Sequence, residues 1–219
     1  MIRLTSSGAA ALVAITLFVH DVSAQHSRLF PPTELGMLEG PDRESFQRPE
    51  QIMDALYIGE GSVVADVGAG GGWFTVRLAR RVGPNGVVYA QDVQQLMIQA
   101  MEGRVRGEGL RNVKMVLGTQ LDTRLPARTL DAALLVDTYH EMEQPITLLR
   151  NLSKALKPAG LIGIVDFKKD GFGPGPDTMD ERIDPERVIR DAQAAGLQLK
   201  KREDFLRYQF LLIFGLPAR

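Results

Sequence analysis

The sequence predicts an α/β domain built on a doubly wound, mostly parallel seven-stranded sheet with helices on both faces. Three observations predict it. Short β-branched runs alternate with longer segments whose apolar residues recur at helical intervals. Glycines cluster between the first such run and the helix after it. The length, 219 residues, suits one α/β domain and is short for two.

Met1, Ile2 and Arg3 give a positive start, Gly8 to Val19 is almost unbroken small and apolar, and Val22-Ser23-Ala24 has the small-x-small form of a cleavage site. This order predicts an export signal over residues 1–24 and a periplasmic or secreted chain. The apolar run is about twelve residues against the roughly twenty a membrane helix needs, so no transmembrane segment is expected in the mature chain. Residues 25–44 are polar, contain Pro and Gly, and read as a linker or cover. The main domain is placed at 45–219, with Ser45 capping a helix through Ile52, Ala55 and Leu56.

Val63 to Val67 is the first strand, β-branched and ending in glycines as buried parallel strands do. Phe74 to Val82 has helical spacing and stops at Gly83-Pro84-Asn85-Gly86. Val87 to Ala90 is the second strand and leads to Asp92; Leu96 to Gly107 is helical; Val113 to Leu117 is the third strand. Leu130 to Val136 makes the fourth, followed by a helix from Pro145 to Leu156 that Lys157-Pro158-Ala159-Gly160 should stop. Leu161 to Val165, Leu197 to Lys201 and Tyr208 to Phe214 complete the sheet, with a helix over Pro185 to Ala195.

A net charge of −1 gives no electrostatic reason to expect nucleic acid. With no cysteine, disulfides, thiolate metal sites and a cysteine nucleophile are all excluded.

Asp66-Val67-Gly68-Ala69-Gly70-Gly71-Gly72 sits between strand and helix, where glycines allow a sharp turn and close backbone approach to a ligand. A dinucleotide fingerprint would place its third glycine where Trp73 stands. The stretch instead resembles motif I of the class I S-adenosylmethionine-dependent methyltransferases, an acid followed by glycines at alternate positions. That resemblance implies a Rossmann-like fold, S-adenosyl-L-methionine as cofactor, and a loop of Asp66, Gly68, Ala69, Gly70 and Gly72 holding its methionine part. Asp92 can accept both ribose hydroxyls of a nucleoside cofactor, which fits NAD as well as S-adenosylmethionine. The resemblance places Val93 against the adenine. Beyond the third strand the family contacts adenine again, and here Thr119, Gln120 and Asp122 are alternatives.

The fourth strand breaks abruptly into Asp137-Thr138-Tyr139-His140-Glu141, at the sheet end where ligands bind in open α/β folds. This segment and Leu156 to Gly160 resemble later motifs of the small-molecule methyltransferases, and Asp137 is assigned to the cofactor pocket. Methyl transfer needs alignment, dryness and, for many acceptors, a base. His140 is the candidate base, with orientation of the loop as its rival role; Tyr139 either lines the acceptor pocket or packs. Asp137, Glu141 and Asp166 match no metal-ligand spacing, so no metal is expected. Arg43, Phe46 and Arg48 can fold over the site as a lid, and the loop from Lys168 to Met179 lies on the same side. The expected acceptor is a small molecule or lipid head group. A non-catalytic S-adenosylmethionine-binding module and an NAD-dependent oxidoreductase remain alternatives.

Overall fold

The computed structural model describes residues 29–169, 173–176, 179 and 182–218. The expected export signal lies outside the described residues.

Seven strands form one sheet: β1 (Val63–Val67), β2 (Val87–Asp92), β3 (Val113–Leu117), β4 (Leu130–Val136), β5 (Leu156–Phe167), β6 (Gln198–Glu203) and β7 (Gln209–Gly215). Their order is β3-β2-β1-β4-β5-β7-β6. β1 to β5 are parallel, and β7 runs antiparallel between β5 and β6. Strand order reverses between β1 and β4, which opens a crevice at their carboxyl ends. Edge strand β6 carries Lys200, Lys201 and Arg202.

Alternation along the buried strands sorts side chains into two cores. Val64, Ala132, Leu134 and Ile213 pack with Ile52, Phe74 and Leu78 on one face. Ala65, Ala133, Leu135 and Leu212 pack with Leu149, Leu152 and Val188 on the other. The covering helices are α1 (Arg43–Gln47), α2 (Pro49–Ala55), α3 (Trp73–Val82), α4 (Gln95–Gly107), α5 (Pro145–Ser153) and α6 (Pro185–Ala194).

Two elements depart most from the sequence expectation. The helix expected from Ser45 to Leu56 is broken at Arg48, whose φ of 49° is left-handed. Pro49 disfavours helical geometry in the residue before it and starts a new helix itself. The Ser45 hydroxyl bonds to the Asp42 carbonyl and caps neither helix. The break matters for the site, because it turns Gln47 inward. Second, α5 ends at Ser153 and Leu156 already belongs to β5. Main-chain bonds from Arg128, Thr129 and Leu130 to Lys154 and Ala155 draw the chain onto the sheet early. Lys157 to Gly160 is then absorbed as an irregularity, since Leu156 pairs with Leu130 but Leu161 with Ala132.

Candidate functional site

The loop after β1 is shaped by what surrounds it. Gly68, Gly70 and Gly72 have φ of 70°, 54° and 81°, a region costly for side-chain-bearing residues. The N–H groups of Gly68 and Ala69 both donate to the Gln91 carbonyl at 2.9 Å, pinning the loop to β2. On its other side Thr138 leaves no room: a Cβ on Gly68 would stand 2.2 Å from the Thr138 methyl.

Asp92 at the end of β2 is 6% exposed. One carboxylate oxygen accepts the Gly70 N–H and the other the Gln94 N–H, each at 2.9 Å. Burial pushes its pKa up, while these bonds and one from Val93 oppose the shift. A carboxylate has about four lone-pair sites, so acceptor capacity is left for the hydroxyls of a ribose. Asp66 is buried and accepts the Thr75 hydroxyl at 2.6 Å. Burial raises its pKa to about 6, against the pull of Thr75 and of the Arg43 charge.

Asp137 has a φ of 54° and collects groups from distant elements. It accepts hydrogen bonds from Gln47 Nε2 at 2.8 Å and from Gln209 Nε2, and Arg43 stands 3.6 Å away. Burial raises its pKa to about 6, against the Arg43 charge.

One cleft brings together Asp66, Gly68, Ala69, Gly70, Asp92, Val93, Thr119, Gln120 and Asp137. Gly72 stands behind it as the residue preceding α3, backed by Met101, and Gly71 lines the cleft instead. Asp122 is exposed and outside the cleft, accepting the Arg124 N–H at 2.9 Å. Of the lid residues, Arg43 lines the cleft, Phe46 packs against Phe167 and Tyr208, and Arg48 is exposed.

Other lining residues escaped sequence reasoning. Trp73, weighed there only for its bulk, lines the cleft with Arg43 and Arg77 stacked 4.4 and 3.3 Å from its ring centre. Leu35 and Glu39, from the 3₁₀ segment Pro32–Glu39, close over the glycines. Phe30 spans the opening: its N–H donates to Glu141 at 3.2 Å and its carbonyl accepts from Gln94 Nε2 at 3.0 Å. Nothing in a single sequence links Phe30 to Glu141. Glu141 was visible as part of a polar run and was weighed only as a metal ligand. Burial lifts its pKa to about 7, offset partly by the Phe30 N–H and the His140 charge.

Tyr139 and His140 lie outside this cleft. Tyr139 is 1% exposed, packs in the core and donates its hydroxyl to Asp191 at 2.9 Å. His140 sets Nδ1 2.9 Å from Asp166, which also accepts its main-chain N–H, and its Nε2 is 3.9 Å from Glu141. Burial lowers the His140 pKa, but Asp166, Glu141 and Asp137 outweigh it and bring the value to about 9. Among the described residues no three His, Asp or Glu side chains are grouped to hold a metal ion.

This raised histidine pKa has a stability consequence. The folded value of about 9 exceeds the ordinary 6.5, so the contribution is complete below about pH 6.5 and is lost as pH rises through 9. Denaturant titrations of wild type are expected to show a loss on the order of 3 kcal/mol across that window. His140→Asn is expected to flatten it.

Comparison with known proteins adds the family. A family model described as a methyltransferase domain matches residues 64–160. Demethylmenaquinone methyltransferase of Geobacillus stearothermophilus is 28% identical over 112 residues, 51% of this chain and 48% of that protein. A ubiquinone/menaquinone biosynthesis C-methyltransferase of Pasteurella multocida is 27% identical over 123 residues, 56% of this chain and 46% of that protein. The chain thus spans about half the length of the curated relatives it matches. The crystal structure of a SAM dependent methyltransferase from Aquifex aeolicus superposes with a TM-score of 0.81 at 30% identity, covering 85% of this chain and 98% of that one. With the glycine loop, the buried acid of β2 and the strand order already in place, that match makes the chain a member of the S-adenosylmethionine-dependent methyltransferases.

Proposed function

We propose that the protein transfers a methyl group from S-adenosylmethionine to a small quinone-like aromatic acceptor. The observation that carries this reading is the convergence, in one cleft at the β1/β4 crevice, of Asp92, the glycine loop, Arg43 and the ionisable Glu141. When bound, the cofactor supplies an electrophilic methyl carbon on a sulfonium that leaves as a thioether. Asp92 would accept the ribose hydroxyls, the glycine loop would take the methionine part against its backbone, and the Arg43 guanidinium would attract its carboxylate. Thr119 and Gln120 border the adenine side. The quinone acceptor is supported by the activities that the relatives' names give.

Attack by an acceptor carbon forms the new C–C bond and releases a proton. We assign that proton to Glu141, which lines the cleft and, with a pKa of about 7, is substantially ionised at neutral pH. His140 as base needs its neutral form, which prevails only above about pH 9; below that its charge lies beside Glu141. The pH profile separates the two roles. For Glu141, kcat/KM is expected to rise with its midpoint near pH 7 and level above it, and Glu141→Gln to lose about 10²- to 10⁴-fold. A limb near pH 9 that disappears in His140→Asn would give the role to His140.

The direct test is incubation with S-adenosylmethionine and a panel of demethylated naphthoquinols and benzoquinols, with S-adenosylhomocysteine measured by mass spectrometry. Product with one acceptor supports the reading. Tight cofactor binding without product across the panel would favour a binding module. Export is part of the proposal only through the pattern of residues 1–24.

A further inference from the structure

Across the 3₁₀ turn Tyr139–Glu141 from the cofactor cleft lies a second cavity, and Met142 lines both. Four basic side chains face it: His140, Lys169, Arg182 and Arg187. Two have acidic partners, His140 with Asp166 at 2.9 Å and Arg187 with Asp191 at 3.8 Å.

Arg182 does not. It is only 7% exposed, and its guanidinium faces main-chain carbonyls: Pro176 at 3.1 Å, Pro174 at 3.2 Å, and Lys168 and Gly173 at 3.4 Å. Among the described residues no carboxylate lies within ion-pair distance of Arg182 or of the exposed Lys169. The acid that lines the cavity, Asp184, is engaged as the cap of α6, accepting the Glu186 N–H at 3.0 Å. Carbonyl dipoles solvate a guanidinium but do not neutralise it, and an uncompensated buried charge is costly. Among the described residues, the side chains that line the cavity therefore include more bases than acids.

We propose that this cavity binds an oxyanion, the carboxylate or phosphate group of a small acidic ligand. Arg187 and Lys169 can reach it from the rim, with Arg182 supplying buried positive charge at its wall. Through the shared Met142, such a group would lie beside the cofactor cleft. Anion binding here is separable from methyl transfer, since Arg182, Arg187 and Lys169 do not line the cofactor cleft.

Calorimetric titration of the wild-type chain with inorganic phosphate and, separately, with benzoate tests the site at constant ionic strength; the two arms distinguish phosphate from carboxylate. Saturable one-to-one binding of at least one anion is expected, with a shift of the His140 ring nitrogen resonances. Replacing Lys169→Ala together with Arg187→Ala is expected to weaken it about tenfold or more, as loss of charged hydrogen bonds does. Lys200→Ala removes the same sign of charge at a different cavity and is expected to change nothing. If the double variant unfolds, Lys169→Glu alone, at an exposed position, is expected to give the same loss. A folded wild-type chain that binds neither anion saturably would overturn the proposal. So would binding that Lys200→Ala weakens as much as the double variant does.

Discussion

Asp92→Ala is expected to weaken S-adenosylmethionine and S-adenosylhomocysteine binding by at least about 100-fold, from the loss of two hydrogen bonds to a charged group. The effect has a second source. Asp92 also holds the N–H groups of Gly70 and Gln94, so the glycine loop and the start of α4 lose their shared anchor. Asp92→Asn separates the two: its carbonyl oxygen can keep one of these N–H bonds, while its amide nitrogen donates where the other was accepted. Calorimetry should rank wild type above Asn and Asn above Ala. Equal affinity in all three would remove Asp92 from the cofactor site.

Gly68→Ala is expected to be the most damaging single substitution in the loop. At φ 70° an alanine costs about 1–2 kcal/mol in backbone strain. The new Cβ would also meet the Thr138 methyl at 2.2 Å and its hydroxyl at 2.7 Å. Thr138 is β-branched and bonds the carbonyls of Gly68 and Val136, so it yields poorly. Overpacking of this kind adds about 1–3 kcal/mol. Urea denaturation should read the sum, and cofactor binding should fall below detection. Adding Thr138→Ala should recover part of the stability, leaving the backbone term. An absence of coupling between the two substitutions would mean that the loop relaxes away from β4.

Strand positions and the cofactor side of the cleft were legible because both rest on local pattern. β-branched runs bounded by glycines located the parallel strands, and the acids ending β1, β2 and β4 all reached the cleft. What was not legible depends on contacts distant in sequence. Gln47 and Gln209 meet at Asp137 only because Pro49 breaks the first helix and β7 inserts beside β5. Phe30 and Arg182 carry no motif; their roles come from the cavities they face. Thr119 and Gln120 were kept as alternatives to Asp122, and only the turn that makes Asp122 a partner of the Arg124 N–H separated them.

The antiparallel insertion of β7 has a further consequence for the chain's behaviour among its own copies. It makes β6 the outer strand, and the exposed Lys200, Lys201 and Arg202 stand there in succession. An open strand edge is a template for pairing with another molecule, and clustered positive charge opposes that pairing. The fully buried apolar run of β7, Gln209 to Gly215, is thus shielded from intermolecular sheet growth by a strand with few buried side chains of its own. Resistance to self-association is thus built in part at that edge, far from any chemistry.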